Sequence, residues 1–187
     1  MIWAQVLIVA YSLTLIGMRS RILVLLLALL TLAPVQGVSL AMALRGLWGD
    51  PSITTLQLLV LAFAGKTPPA LRHGYRMPLC IALLAAALYA SALGSWNLDL
   101  YRFGYQPAEL VTVFGAIALI AWRRGNPLWL SLLSIDLLAW HGGWLESSNL
   151  WDYLLDPLLA LVMLVLAIRN SRRRHLVDTI SQNTKWK

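Results

Sequence analysis

Charge is scarce in this chain. Only 12% of its 187 residues are Asp, Glu, Lys or Arg, against about 25% in ordinary soluble domains. Acidic residues are the rarer sign, with eight Asp and Glu beside fifteen Lys and Arg. One cysteine, Cys80, excludes an intrachain disulfide and leaves the redox compartment open. Three histidines occur without HxxxH or CxxC spacing, so no zinc, copper or bis-His haem site is expected, and no metal or cofactor. A G-x-S-x-G elbow, a Walker A loop and a dinucleotide fingerprint are all missing. Nucleophilic hydrolysis and nucleotide-driven chemistry therefore have no basis in the sequence. Long polar linkers are missing too, which excludes separate soluble domains.

The chain is instead strongly apolar. Hydrophobic residues make up 59% of it and the mean hydropathy is +0.71. A soluble domain carries about 45–50%. The composition predicts an all-α, polytopic transmembrane bundle. Seven apolar runs mark the expected spans: Ile2–Gly17, Ile22–Leu44, Pro51–Gly65, Pro78–Gly94, Pro107–Trp122, Pro127–Trp140 and Pro157–Ile168. A span needs about 20 residues, and only the second run reaches that alone. The others must borrow flanking residues, thin the bilayer or rely on partners. Proline opens five of the runs, at Pro51, Pro78, Pro107, Pro127 and Pro157, which fits the first helical position. Asp50, Asn126 and Asp156 precede three of them as expected N-caps. Pro34 lies inside the second run and predicts a kink.

Charge sets the orientation. With seven spans and the N-terminus outside, thirteen Lys and Arg fall on one side and only Arg45 and Arg102 on the other. The first side is therefore cytoplasmic. Most acidic residues lie on or near the opposite face, where Asp50, Asp99, Glu109, Glu146, Asp152 and Asp156 fall. The expected organisation is one transmembrane domain over 1–169 and a basic cytoplasmic tail over 170–187, in a multi-pass protein of the cell inner membrane. The net charge of +7 follows from this asymmetry, so membrane lipids and other membrane subunits are the expected partners and nucleic acid is not.

Three outer loops carry the candidate site. They run from Arg45 to Asp50, from Ser95 to Gln106, and from Trp140 to Pro157. Their aromatic and polar residues suit a sugar or a polar lipid headgroup, with Trp96, Arg102, Tyr105, Trp144 and Trp151 as binding candidates. Glu146, Asp152 and Asp99 are the acid–base candidates. A belt of interfacial Trp and Tyr accounts for much of the same composition without any ligand. Trp140, Gly142, Trp144, Trp151 and Asp152 loosely resemble the tryptophan-rich WWD loops of haem-handling cytochrome c maturation proteins, in composition but not in spacing.

Asp136 is the one carboxylate deep within an apolar run, roughly 7–8 Å along the helix from His141. It is either a proton or cation site relayed through His141, or a carboxyl paired across helices. Gln36 and Gln57 read as interhelical hydrogen-bond partners. Three functions follow from these features. The first is a non-catalytic subunit, assembly factor or scaffold of a cell-envelope complex. The second is an enzyme or binder acting on a lipid-linked or glycan substrate at the outer loops. The third is a proton-coupled transporter centred on Asp136.

Overall fold

The apolar runs fold mainly as helix, and the breaks fall where glycine or polar side chains offer the backbone another partner. The computed structural model describes residues 1–95 and 97–184. It contains α1 (Ile2–Leu15), α2 (Arg21–Leu30), β1 (Pro34–Val35), β2 (Val38–Ser39), α3 (Leu40–Trp48), α4 (Ile53–Phe63) and α5 (Pro69–Arg72). These are followed by α6 (Arg76–Ala92), a 3-10 turn (Tyr101–Gly104), α7 (Ala108–Arg123), α8 (Leu128–His141), α9 (Leu150–Leu154) and α10 (Pro157–Thr184). The chain is 71% helical, in agreement with an all-α class.

The helices are shorter than seven complete spans require. Among the described residues no helix is long and apolar enough to cross a membrane. The second run, expected as one long helix, is the clearest correction. Gln36 and Gly37 both adopt positive φ, 52° and 86°, which makes a two-residue hairpin turn. Pro34 therefore starts a strand instead of kinking a helix, and pairs with Ser39. Gln36 sits exposed at the turn and joins no helices. After the hairpin, Ser39 caps α3 by accepting from the Met42 amide at 3.1 Å. The Ala41 amide donates to the Thr31 carbonyl at 3.0 Å, so α3 resumes where α2 stops and the hairpin is an excursion between them. At the other end of the chain, α10 runs through the basic segment to Thr184 instead of stopping at Ile168.

The prolines also sit differently from expectation. Of the five prolines expected to open helices, Pro157 alone is the first residue of its helix; Pro107 and Pro127 stand one position earlier, and Pro78 lies inside α6. Ser52, and not Asp50, caps α4, accepting from the Thr55 amide at 3.1 Å.

Two apolar clusters hold the helices together. The smaller one joins α1 to α2 through Val6, Ala10, Val24 and Ala28. The larger one gathers α4 to α10. Its main seam lies between α6 and α10. Pro78, Ala82, Ala85, Leu88 and Ser91 recur every three or four residues and form the buried face of α6. Leu159, Met163 and Ala167 are the buried apolar residues of α10. The small side chains let the two backbones approach closely.

Ala85 is fully buried, so Ala85→Leu overfills this seam and is expected to cost about 1–3 kcal/mol in thermal or chemical unfolding. Leu83→Ala, on the exposed face of the same helix, is expected to change stability by less than about 0.5 kcal/mol.

Candidate functional site

The loops 45–50, 95–106 and 140–157 converge on one open cleft. In the first loop, Gly49 leaves α3 with φ of 81°, a conformation suited to glycine, and turns Asp50 back toward the helix. Arg45 then grips Asp50 with two hydrogen bonds, Nε to Oδ1 at 2.9 Å and Nη2 to Oδ2 at 2.8 Å. The Met1 ammonium donates to the same carboxylate. Gln5, fully buried, donates to the Gly49 carbonyl at 3.0 Å and accepts from the Trp48 indole at 2.9 Å. The start of α1 is thereby docked on the end of α3.

The second loop is shaped by Asp99, whose Oδ1 accepts from the amides of Tyr101 at 3.0 Å and Arg102 at 3.2 Å. This local turn explains Asp99, which does not line the cleft. Arg102 meets Asp99 through its backbone amide.

The third loop is laced to the second. Asn149, fully buried, accepts from the Trp151 amide at 2.9 Å and donates to the Tyr101 carbonyl at 3.0 Å. A Cβ at position 104 would fall 1.6 Å from Asn149 Oδ1, so only glycine admits this contact. The Trp151 indole donates to the Leu100 carbonyl at 3.0 Å and its ring meets Phe114 edge-on at 5.7 Å. Trp151 is 5% exposed. It is a core residue, and the expectation that it forms a binding platform is corrected; its part in the WWD-like pattern falls with it.

The cleft encloses about 470 Å³ and is lined chiefly by Asp50, Tyr89, Tyr101, Glu146, Asp152 and Asp156. Glu146 comes from the third loop and accepts from Arg45 Nη2 at 2.6 Å, so a single guanidinium ties the first loop to the third. Asp152 accepts the Tyr101 phenol, which lies 2.8 Å from both carboxylate oxygens. Asp156 accepts from the Ser52 amide at 2.7 Å, from the Thr55 hydroxyl, and from the Leu159 amide at 2.8 Å. Asp50 and Glu146 therefore have cationic partners, whereas Asp152 and Asp156 are held by neutral donors. The arrangement suits a ligand that offers hydroxyls or a positive charge, and Tyr89 and Tyr101 add two phenol rings.

Electrostatics separate these groups. Burial pulls the Asp50 carboxyl upward, but hydrogen bonds from Arg45 and the Met1 ammonium outweigh it and hold the group below the usual carboxylate range. Burial, and then the hydrogen bond to Asp152, push the Tyr101 phenol above its ordinary value.

The remaining sequence candidates lie elsewhere. Trp144 is 59% exposed and Tyr105 57% exposed, the latter edge-on to Tyr101 at 6.0 Å. Neither lines the cleft, and Arg102 does not. Trp96 lies outside the described residues. Asp136 is buried in α8, accepting from the Thr54 hydroxyl at 2.8 Å and from Gln57 Nε2 at 2.7 Å. The latter is the interhelical role expected of Gln57. His141 is exposed at the end of α8, and among the described residues no hydrogen bond joins it to Asp136. Sequence reading missed Tyr89, Asn149 and Gly104, and took Asp50 and Asp156 for caps alone. No local pattern marks the first three. Among the described residues no group of three or more His, Cys, Asp or Glu is placed to hold a metal ion.

Compared with known protein families, curated proteins and solved structures, the chain matches none.

Asp50 ties a pH dependence to this site. A depressed folded-state pKa contributes stability above the ordinary value of 3.8 that is lost as pH falls through the folded one. The melting temperature is expected to drop on acidification below about pH 4. Asp50→Asn is expected to remove that part of the drop and to cost about 1–3 kcal/mol at neutral pH. Thermal unfolding across a pH series measures both effects.

Proposed function

We propose that this chain is a multi-pass protein of the cell inner membrane, built as a transmembrane helical bundle, that serves as a non-catalytic subunit, assembly factor or scaffold of a cell-envelope complex. One observation carries this reading: apolar side chains stand exposed along most of the helices. In α2 only Val24 and Ala28 are buried, and the other eight residues, seven of them Leu or Ile, are exposed. A surface of this kind requires lipid or apolar partners around it. The helix pair α2 and α3, nineteen residues in all and joined through the Thr31–Ala41 hydrogen bond, offers a discontinuous span. Broken helices are tolerated at membrane depth where neighbouring protein covers the break. Short single helices favour a subunit whose apolar slab is completed by partner helices. The charge asymmetry supports a cytoplasmic side for Arg72, Arg76 and the Arg172–Arg174 run and the opposite side for the cleft.

The expected result of alkaline carbonate extraction is retention in the membrane pellet. Affinity purification in mild detergent is expected to bring down stoichiometric membrane partners. Release by carbonate would overturn the membrane assignment, and a lone monodisperse monomer would overturn the subunit assignment.

The cleft favours a second role compatible with the first, recognition of a glycan or polar lipid headgroup at the outer face. Asp152→Asn keeps an acceptor for Tyr101, whereas Asp152→Ala leaves the Tyr101 hydroxyl without one and Glu146→Ala leaves Arg45 bound to Asp50 alone. If the cleft binds, both alanine variants are expected to lose the cellular phenotype while still inserting. An unchanged phenotype with normal folding rules the second role out.

A further inference from the structure

The opposite end of the molecule carries a second cavity whose chemistry is the reverse of the first. It encloses about 310 Å³ and is lined by Ala70, His73, Gly74, Tyr75, Arg76, Met77 and Arg174. Two guanidiniums and an imidazole therefore face one small space, and no acidic residue lines it among those described.

Its walls are held in place from two elements. Asn170 in α10 is 3% exposed, and its Nδ2 donates to the carbonyls of Leu71 at 3.0 Å and Gly74 at 2.9 Å. The loop between α5 and α6 is thereby clamped to α10. Gly74 is required there, because a Cβ would lie 2.6 Å from the Ala70 carbonyl oxygen. Arg174 stands one helical turn beyond Asn170 and so shares its face. Its guanidinium sits over the Tyr75 ring, 5.8 Å from the centroid. This contact orients a side chain that is otherwise free to rotate. Arg76 begins α6, a seventeen-residue helix whose first-turn amides receive no side-chain cap. The positive end of that helix points into the same region as the cations. His73, Arg76 and Arg174 are exposed, so the cluster attracts an anion from solution, and a planar guanidinium binds a phosphate group through two parallel hydrogen bonds.

We propose that this cavity binds a phosphate group, the headgroup phosphate of an acidic phospholipid or that of a soluble phosphate ester. Arg76 and Arg174 are the principal ligands. His73 supplies a third donor, and Tyr75 positions Arg174. The site is separate from the outer cleft, and phosphate recognition by it does not rest on the function proposed for that cleft. The lipid source rests on the membrane reading. The neighbouring Arg172 and Arg173 do not line the cavity and serve as its control.

The test uses the full-length protein in uncharged detergent. Short-chain phosphatidic acid, short-chain phosphatidylcholine and inorganic phosphate are titrated separately by calorimetry. The phosphatidic acid is expected to bind, and the zwitterionic lipid to bind at least tenfold more weakly, a difference that roughly two cationic contacts account for. Arg76→Gln with Arg174→Gln is expected to weaken phosphatidic acid binding roughly thirtyfold. Arg172→Gln with Arg173→Gln removes the same charge and is expected to change it by less than about threefold. Tyr75→Leu keeps all four arginines and is expected to weaken binding about fivefold; it carries the test if the first double variant does not fold. Inorganic phosphate binding as tightly as the lipid assigns the site to soluble phosphate esters, and binding of the lipid alone assigns it to the membrane. Equal losses in the two double variants would overturn the proposal, since net charge alone would then explain the affinity. Absence of binding by both phosphatidic acid and phosphate would overturn it as well.

Discussion

One buried carboxylate holds the cleft end of the molecule together. Asp156 precedes α10 and satisfies the Leu159 amide, and from the same position it reaches the Ser52 amide and the Thr55 hydroxyl at the start of α4. It thus serves two helix N-termini that lie about a hundred residues apart in the chain, at the positive ends of both dipoles. Everything nearby depends on that bridge. It places the first loop of the cleft beside the third, so that Arg45 can reach Glu146. It aligns α4 with α8, where Thr54 and Gln57 meet Asp136. It sets the origin of α10, the helix that packs most extensively against α6.

The same logic recurs wherever a polar side chain is buried. Gln5 joins α1 to α3, Asn149 joins the second loop to the third, and Asn170 joins α10 to the loop before α6. Apolar contact says little about which helix belongs beside which in so apolar a chain, because leucine packs against any leucine. A buried amide or carboxylate without its partner costs about 1–3 kcal/mol, so each of these groups selects one arrangement. The two cavities arise at the ends of the helices, where such groups pull loops together. One is acidic and the other basic because the charges are segregated along the chain.

Much of the architecture was legible because its causes are local. Apolar runs bounded by proline, glycine and polar caps foretell helices, and Asp156 as a cap for α10 follows from its place before Pro157. The break in the second run was missed because Gln36-Gly37 sits among apolar residues, and hairpin geometry there overrode the helical pattern. Trp151 was misjudged for a different reason. A tryptophan in an outer loop reads as interfacial, but Gly104 leaves the space that lets Asn149 draw it into the core. Glu146 and Asp152 read from the sequence as acid–base candidates, and each has a partner that no sequence spacing marks. Arg45 lies 101 positions from Glu146, and Tyr101 lies 51 from Asp152.

The sequence by itself determined the helical class, the apolar character of the surface and the separation of basic from acidic ends. Composition and local backbone preference decide those properties without reference to distant residues. Tertiary structure alone decided which carboxylates face the acidic cleft and which brace the fold. Tertiary structure also turned a basic loop and a basic helix into the walls of one cavity. Both outcomes depend on contacts between segments far apart in the chain, which close only when buried polar groups find their partners.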